Sequence, residues 1–262
     1  MVDGLTGVRS LHVNELAKPM SRPLRTMPTN DPCPFCLLIA GDDDREVFWK
    51  KGPWWCVANR WNPVEGHGTG ELLVFERHVE SLEECGSEAL GELVDALWSH
   101  QKPEAVQCFR FTNVGSLAGA SQSHLHTQRV SVDFLGGHSP LGEREWREDL
   151  SNAERADTVV VEAPAYSAYV APAPQFYGEV RIISETPEGL GHGVGEMVQI
   201  LGAAPVAYNV LWHRRGALFG AQVVMSSLAS LYGQMAGVTM VRSPVDQWAE
   251  QMRQRRRDGF VP

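Results

Sequence analysis

No stretch of this 262-residue sequence approaches the roughly 20 consecutive apolar residues that a helix needs to cross a bilayer. An apolar leader core is missing as well: Leu5 to Val13 is broken by Gly7, Arg9, Ser10 and His12. A cytoplasmic protein with no membrane partner is the expectation. Positive charge is scarce, with 23 Lys and Arg against 32 Asp and Glu and a net charge of −9. Nonspecific nucleic-acid binding depends on cations that neutralise phosphates, so no nucleic-acid partner is expected. The one basic run, Arg253 to Arg257, reads as a solvated helix end. Cysteine is both sparse and odd in number: Cys33, Cys36, Cys56, Cys85 and Cys108. Without a secretion signal, that count argues against a disulfide framework.

What the sequence does hold is an ordinary globular composition, 43% apolar and 21% charged, over enough length for a substantial core. Residues 1–31 contain Pro19, Pro23, Pro28 and the turn-like Asn30-Asp31-Pro32, and read as an irregular arm. Trp54 to Asn59 and Gly70 to Phe75 read as strands across a Pro- and Gly-rich connection. Leu90, Leu93, Val94, Leu97 and Trp98 fall at helical spacing within 87–100. Cys108 to Asn113 and Arg129 to Phe134 are strand-like again. The plan then recurs: strands at Ser167 to Ala171 and Glu179 to Ser184, a helix through Glu196 to Leu201, and strands at Tyr208 to Trp212 and Leu218 to Met225. Gly70-Glu71 and Gly178-Glu179 both precede apolar runs, and Val206 to Asn209 sits where Phe109 to Asn113 sits. A closing helix follows Ser243-Pro244 and runs to about Arg257. This predicts an α+β internal duplication: an arm at 1–31, one half at 32–150 and a second at 151–262, each an antiparallel sheet with packed helices.

Chemistry concentrates between Asn113 and Gln128. If Leu125 to Val130 is extended, His124, His126 and Gln128 share one strand face. Upstream, Gly115, Gly119, Ser121 and Ser123 make a small, donor-rich turn that suits an anionic ligand. The other element is Cys33-Pro34-Phe35-Cys36, a C-x-x-C read as lying in a turn. Two such thiolates are half of a tetrahedral zinc site. At this point redox chemistry and incidental pairing stay open beside metal. Cys56, Cys85 and Cys108 read as buried thiols, and His67, His100, His138, His192 and His213 as surface or structural histidines.

The run Asn113-x-Gly115 followed by Gly119-x-Ser121-x-x-His124-x-His126-x-Gln128 resembles, without a gap, the active-site signature of the galactose-1-phosphate uridylyltransferase branch of the histidine-triad superfamily. That resemblance implies a histidine-triad-like fold and one structural zinc held by Cys33, Cys36, His78 and His124. It implies His126 as the nucleophile of a ping-pong nucleotidyl transfer, with Gln128 and Ser121 donating to phosphoryl oxygens. Asn113 and Gly119 would lie near the phosphates, and Asn59 and Arg60 by the nucleotide. Gln128, where hydrolase branches carry a third histidine, implies transfer. The partners so implied are a nucleotide or nucleotide sugar, with UMP the group expected to move, and a phosphate acceptor such as a sugar 1-phosphate; a homodimer is implied too. A nucleotide-sugar or dinucleoside polyphosphate phosphorylase, and a noncatalytic nucleotide-binding protein, are the alternatives.

The sequence also departs from that branch. Where the second half of the branch carries His-x-His, this chain has Gly220-Ala221-Gln222-Val223, so no second metal is expected. Thr239 stands where the sugar-contacting carboxylate would be, which argues against galactose. Arg60 replaces an acidic residue near the ribose, and Arg22 and Arg25 lie where the branch has a phosphate-contacting arginine.

Overall fold

Trp54 to Ala58 (β2) shows why the first hairpin forms. Trp54, Cys56 and Val57 are buried, and the run pairs with Val47–Lys51 (β1) on one side and Gly68–Phe75 (β3) on the other. In this computed structural model the described residues are 32–60, 68–99, 107–132, 143–172, 174, 178–202, 207–225 and 245–257. Ser87–Trp98 (α2), Gln107–Val114 (β4) and His126–Val132 (β5) complete the first set of elements. The second set repeats it as Val159–Ala163 (β6), Tyr166–Val170 (β7), Val180–Ser184 (β8), a helix at Pro187–Leu201, Tyr208–Arg215 (β9) and Leu218–Met225 (β10). Numbered in chain order, the helices are Pro34–Ala40 (α1), α2, Glu143–Arg155 (α3), Pro187–Leu201 (α4) and Val245–Arg257 (α5).

The internal duplication is there, with one difference from the expectation. The two sheets are a single ten-stranded antiparallel sheet, ordered β1-β2-β3-β5-β4-β9-β10-β8-β7-β6. β4 and β9 join the halves, with Asn113 directly opposite Asn209. Pairing the two inner strands leaves neither half with an open inner edge. The sheet's faces are unequal. Leu73, Val210, Trp212, Ala221 and Ile182 share a core with α2, α4 and residues of α5. On the opposite face α1 packs Phe35 and Leu38 on Val57, Leu72 and Val74, while α3 packs Trp146 and Ala153 on Tyr169, Ile183 and Leu218. Between these two coverings, half-buried Phe109, Phe111, Gln128 and Leu211 line the strands at the middle of the sheet.

Gly70-Glu71 and Gly178-Glu179 turn out not to correspond. Glu71 pairs with Arg129, whose other nitrogen caps the Ser99 carbonyl at the end of α2. Glu179 accepts from Arg181 and Gln222 on the opposite face, where Arg181 also reaches Asp149 of α3. The likeness is local composition and not repeat register.

The halves meet on the helical face where α2 crosses α4. Gly191 makes that crossing possible: a Cβ there would lie 2.2 Å from the Gly91 backbone nitrogen. Alanine would add about 1 kcal/mol of helix propensity, but the clash is with backbone and the helices must part. Gly191→Ala is expected to lose about 2 kcal/mol net, lowering the thermal midpoint by roughly 4–8 °C for a chain of this size. A circular-dichroism melt with an unchanged midpoint would contradict the crossing.

Several sequence readings fall outside the described residues: the arm with Arg22 and Arg25, the end of the Arg129 to Phe134 strand beyond 132, His67, His100, His138, Val206, and the sugar loop with Thr239.

Candidate active site

β5 begins at His126, so His124 and Leu125 lie just before the strand; the Leu125 N–H donates to the Val79 carbonyl and its carbonyl accepts from the Phe75 N–H. This extends the pairing by one residue and holds His124 under α1. The C-x-x-C lies in the first turn of that helix, not in a free turn as read from the spacing. Pro34 sits at its first position, where a missing N–H costs nothing. One helical turn then brings Cys33 and Cys36 to the same side.

Cys33, Cys36, His78 and His124 converge, with one ligand atom from each lying within 4.8 Å of the others. His124 Nδ1 is 3.5 Å from Cys33 Sγ and 3.6 Å from Cys36 Sγ, and His78 Nδ1 is 3.3 Å from Cys36 Sγ. A tetrahedral ion with bonds of about 2.0–2.3 Å spaces its ligands at about these separations. The Nε2 of His124 lies 2.7 Å from the Phe75 carbonyl. A carbonyl only accepts, so Nε2 carries the hydrogen and Nδ1 presents a lone pair to the cluster. Burial lowers the His124 pKa, with His78 and His126 adding to the effect against the Phe75 hydrogen bond, and so favours the neutral ligand form. Burial and then Cys33 hold the Cys36 thiol above its ordinary pKa. Two adjacent sulfurs carry charge together only if a cation sits between them. The four residues can therefore hold a metal ion.

His126 is buried beside this cluster, and the Phe35 ring contacts both histidines, at 5.5 Å from His124 and 5.1 Å from His126. His126 Nδ1 lies 3.0 Å from the His124 carbonyl. Here too the carbonyl can only accept, so the hydrogen sits on Nδ1 and Nε2 is the basic, nucleophilic nitrogen. Gln128 follows two residues on, half-buried on the same face.

The loop between β4 and β5 winds through a short 3-10 turn, Ser116–Ala118, bracketed by Gly115 and Gly119 at φ +81° and +85°. Both values lie in the region that favours glycine. Ser121 is exposed on this loop and Asn113 half-buried beneath it. Asn59 donates its backbone N–H to Gly70 at the far end of β3. Arg60 is ion-paired to Asp43 and Asp44, so its charge is already partly balanced within the chain.

Two neighbours escaped sequence reasoning. Phe35 hides inside the C-x-x-C, where only the cysteines draw notice. Asn209 donates through Nδ2 to Asn113 Oδ1 at 2.7 Å and to the Ala118 carbonyl at 2.9 Å. It faces Asn113 across the β4–β9 pairing, while the repeat register sets His213 level with Asn113. The likeness of Val206 to Asn209 to the Phe109 to Asn113 run is therefore local composition as well. In the second half, the strand face of Gly220 and Gln222 is filled. The Trp146 ring lies where a Gly220 Cβ would go, and Gln222 bonds His213 and Glu179. Burial, opposed by the Gln222 bond, pushes the His213 pKa down to about 4, the neutral form this network uses.

No protein-family profile matches the chain, and no curated protein sequence matches it. Solved structures do. A uridylyltransferase superposes with a TM-score of 0.72 at 14% identity over 98% of both chains. An ADP-glucose phosphorylase from Arabidopsis thaliana with bound ADP-glucose gives 0.68 at 16% identity over 92% of both. A DUF4931 family protein from Bacillus cereus gives 0.61 at 16% identity over 80% of this chain and 99% of that one. At these identities the likeness is one of fold. The uridylyltransferase-like fold implied by the signature is the fold the chain adopts, and no described helix is long and apolar enough to cross a membrane.

Proposed function

We propose that this chain is a nucleotidyltransferase that works through a covalent nucleotidyl-His126. The observation that carries the reading is the Nδ1–H of His126 held by the His124 carbonyl, which puts the ring's lone pair on Nε2 as a neutral nucleophile. In the first step Nε2 attacks the α-phosphorus of a nucleotide donor. The P–N bond forms as the P–O bond to the leaving phosphate breaks, and the leaving group departs with its electron pair. In the second step an oxygen of a sugar 1-phosphate or related phosphate attacks the same phosphorus. The P–N bond breaks and neutral imidazole returns. Gln128 and Ser121, with Asn113 and the Gly115–Gly119 loop, supply donors to the nonbridging oxygens, where charge develops. UMP is the group expected to move.

One zinc held by Cys33, Cys36, His78 and His124 fits this reading. With all four positions filled by protein it is structural, tying α1 to the start of β5. The phosphorylase reading has support in the fold likeness to the ADP-glucose phosphorylase; there inorganic phosphate takes the acceptor's place at the same intermediate.

The test is intact mass after incubation with UDP-, ADP- and GDP-sugars and nucleoside triphosphates. An acid-labile gain of one nucleoside monophosphate is expected, and its mass names the base. Release of a nucleoside diphosphate by inorganic phosphate alone would select the phosphorylase. No adduct with any donor, despite measurable nucleotide binding, would sink the covalent mechanism and favour a noncatalytic nucleotide-binding protein.

A further inference from the structure

Asn209 belongs to β9, in the half of the molecule whose own site face is filled. Its side chain nevertheless serves the other half. The Ala118 carbonyl 2.9 Å away can only accept, so the atom turned toward it is Nδ2, and the orientation of the Asn209 amide follows. The second hydrogen of that nitrogen goes to Asn113, 2.7 Å away. Asn113 must then present its oxygen to Asn209 and turn its own Nδ2 the other way. That nitrogen faces the loop: a Cβ built on Gly119 would lie 3.8 Å from it. Gly115, at the loop's other end, is seated against Ala207 just before β9, with 3.1 Å between their Cβ positions.

We infer that Asn209 is a positioning residue: it fixes the polarity of the Asn113 amide so that two N–H donors, and not an oxygen, face the phosphate-binding loop. This inference rests on the proposed nucleotidyl transfer. An amide able to flip would offer its oxygen to a phosphoryl oxygen part of the time, a repulsive contact in place of a donor. The second half therefore supplies the seat and polarity of the loop, although it carries no histidine pair of its own.

The experiment follows nucleotidyl-His126 formation in single turnover by intact mass, with UDP-glucose and ADP-glucose as probes. Asn209→Asp turns the donor into an acceptor and should reverse the Asn113 amide. Labelling is expected to slow on the order of 10²-fold, the scale set by misplacing one transition-state contact. In an Asn113→Ala background only the part that acts through the Ala118 carbonyl remains, so the combined loss should fall well short of the product of the two single losses. Asn113→Asp keeps both bonds from Asn209, and so the loop, but removes the amide hydrogens; it should fold normally and slow comparably. Labelling of Asn209→Asp or Asn113→Asp at the wild-type rate overturns the inference, as do losses that multiply in the double variant. If neither probe labels the wild type, the proposed function has failed, and the positioning role is decided by NMR. The Asn113 side-chain amide protons should shift on adding UDP or ADP to the wild type and not to Asn209→Asp; an equal response in both overturns it.

Discussion

His126→Ala is expected to abolish covalent labelling and to cut turnover by roughly 10⁴–10⁶-fold, the scale of losing a nucleophile from a unit whose members act together. The geometry makes this a clean deletion. His126 lies at the first residue of β5, paired to Val74 through the backbone, and its ring's bond runs to a carbonyl two residues earlier. Alanine keeps the strand and forfeits the contact with Phe35 and the ring's bond to the His124 carbonyl. The thermal midpoint should therefore move by a few degrees at most, and donor affinity should stay close to wild type, because the proposed donors to phosphate lie on the loop and on Gln128. A fall in the rate with binding preserved identifies an interaction made on the way to the transition state. Turnover by His126→Ala within tenfold of wild type would point to direct transfer between donor and acceptor and would remove His126 from the chemistry.

Much of this was legible because periodicity and spacing carry it. The strands buried on both faces, such as Trp54–Ala58 and Leu218–Met225, announce themselves by apolar runs, and α2 by a clear stripe. The elements that escaped notice are those whose local signal is weak. α3 buries only Trp146 and Ala153 fully, within thirteen residues that are mostly charged. β1 is an edge strand with Val47 and Phe48 exposed. The start of α4 holds Gly189, Gly191, Gly193 and Gly195, each a local penalty of about 1 kcal/mol against helix. Three of them are demanded by tertiary contact: a Cβ would meet the Ala165 carbonyl, the Gly91 backbone or the Tyr166 ring within 3 Å. The site divides in the same way. A gapless signature marks the strand residues and the C-x-x-C marks half of the Cys2His2 group, so the convergence of Cys33, Cys36, His78 and His124 was foreseeable. Asn209 was not, because its role depends on β9 lying beside β4, a pairing made at a sequence separation of 96 residues.

Removal of metal should be the second large effect, and one of stability before activity. Cys33 caps and Cys36 belongs to a seven-residue helix whose buried side chains, Phe35 and Leu38, pack on Val57, Leu72 and Val74 and, through Phe35, against His124 and His126. Such a helix is too short to hold itself. The cluster anchors it to His78, 42 residues from Cys36, and to buried His124, 91 residues from Cys33. An ion present at a thousand times its dissociation constant contributes about 4 kcal/mol to the folded state. For a chain of this size that is roughly 8–16 °C in thermal midpoint. Cys36→Ser and His124→Ala should each lose the bound equivalent of zinc, measured by mass spectrometry of the metal, and melt lower by about that amount. A chelator should bring the wild type down to the same midpoint and leave the variants unmoved. His78→Ala should lose less, because the His78 side chain is 39% exposed and water can take its place in the coordination shell. Labelling of His126 should fall with the metal, because His124 supplies the carbonyl that holds the His126 Nδ1 hydrogen, and loosening the one residue loosens the other. Wild-type protein that carries no metal, and a chelator that leaves its midpoint unchanged, would together show that the four side chains converge without serving an ion.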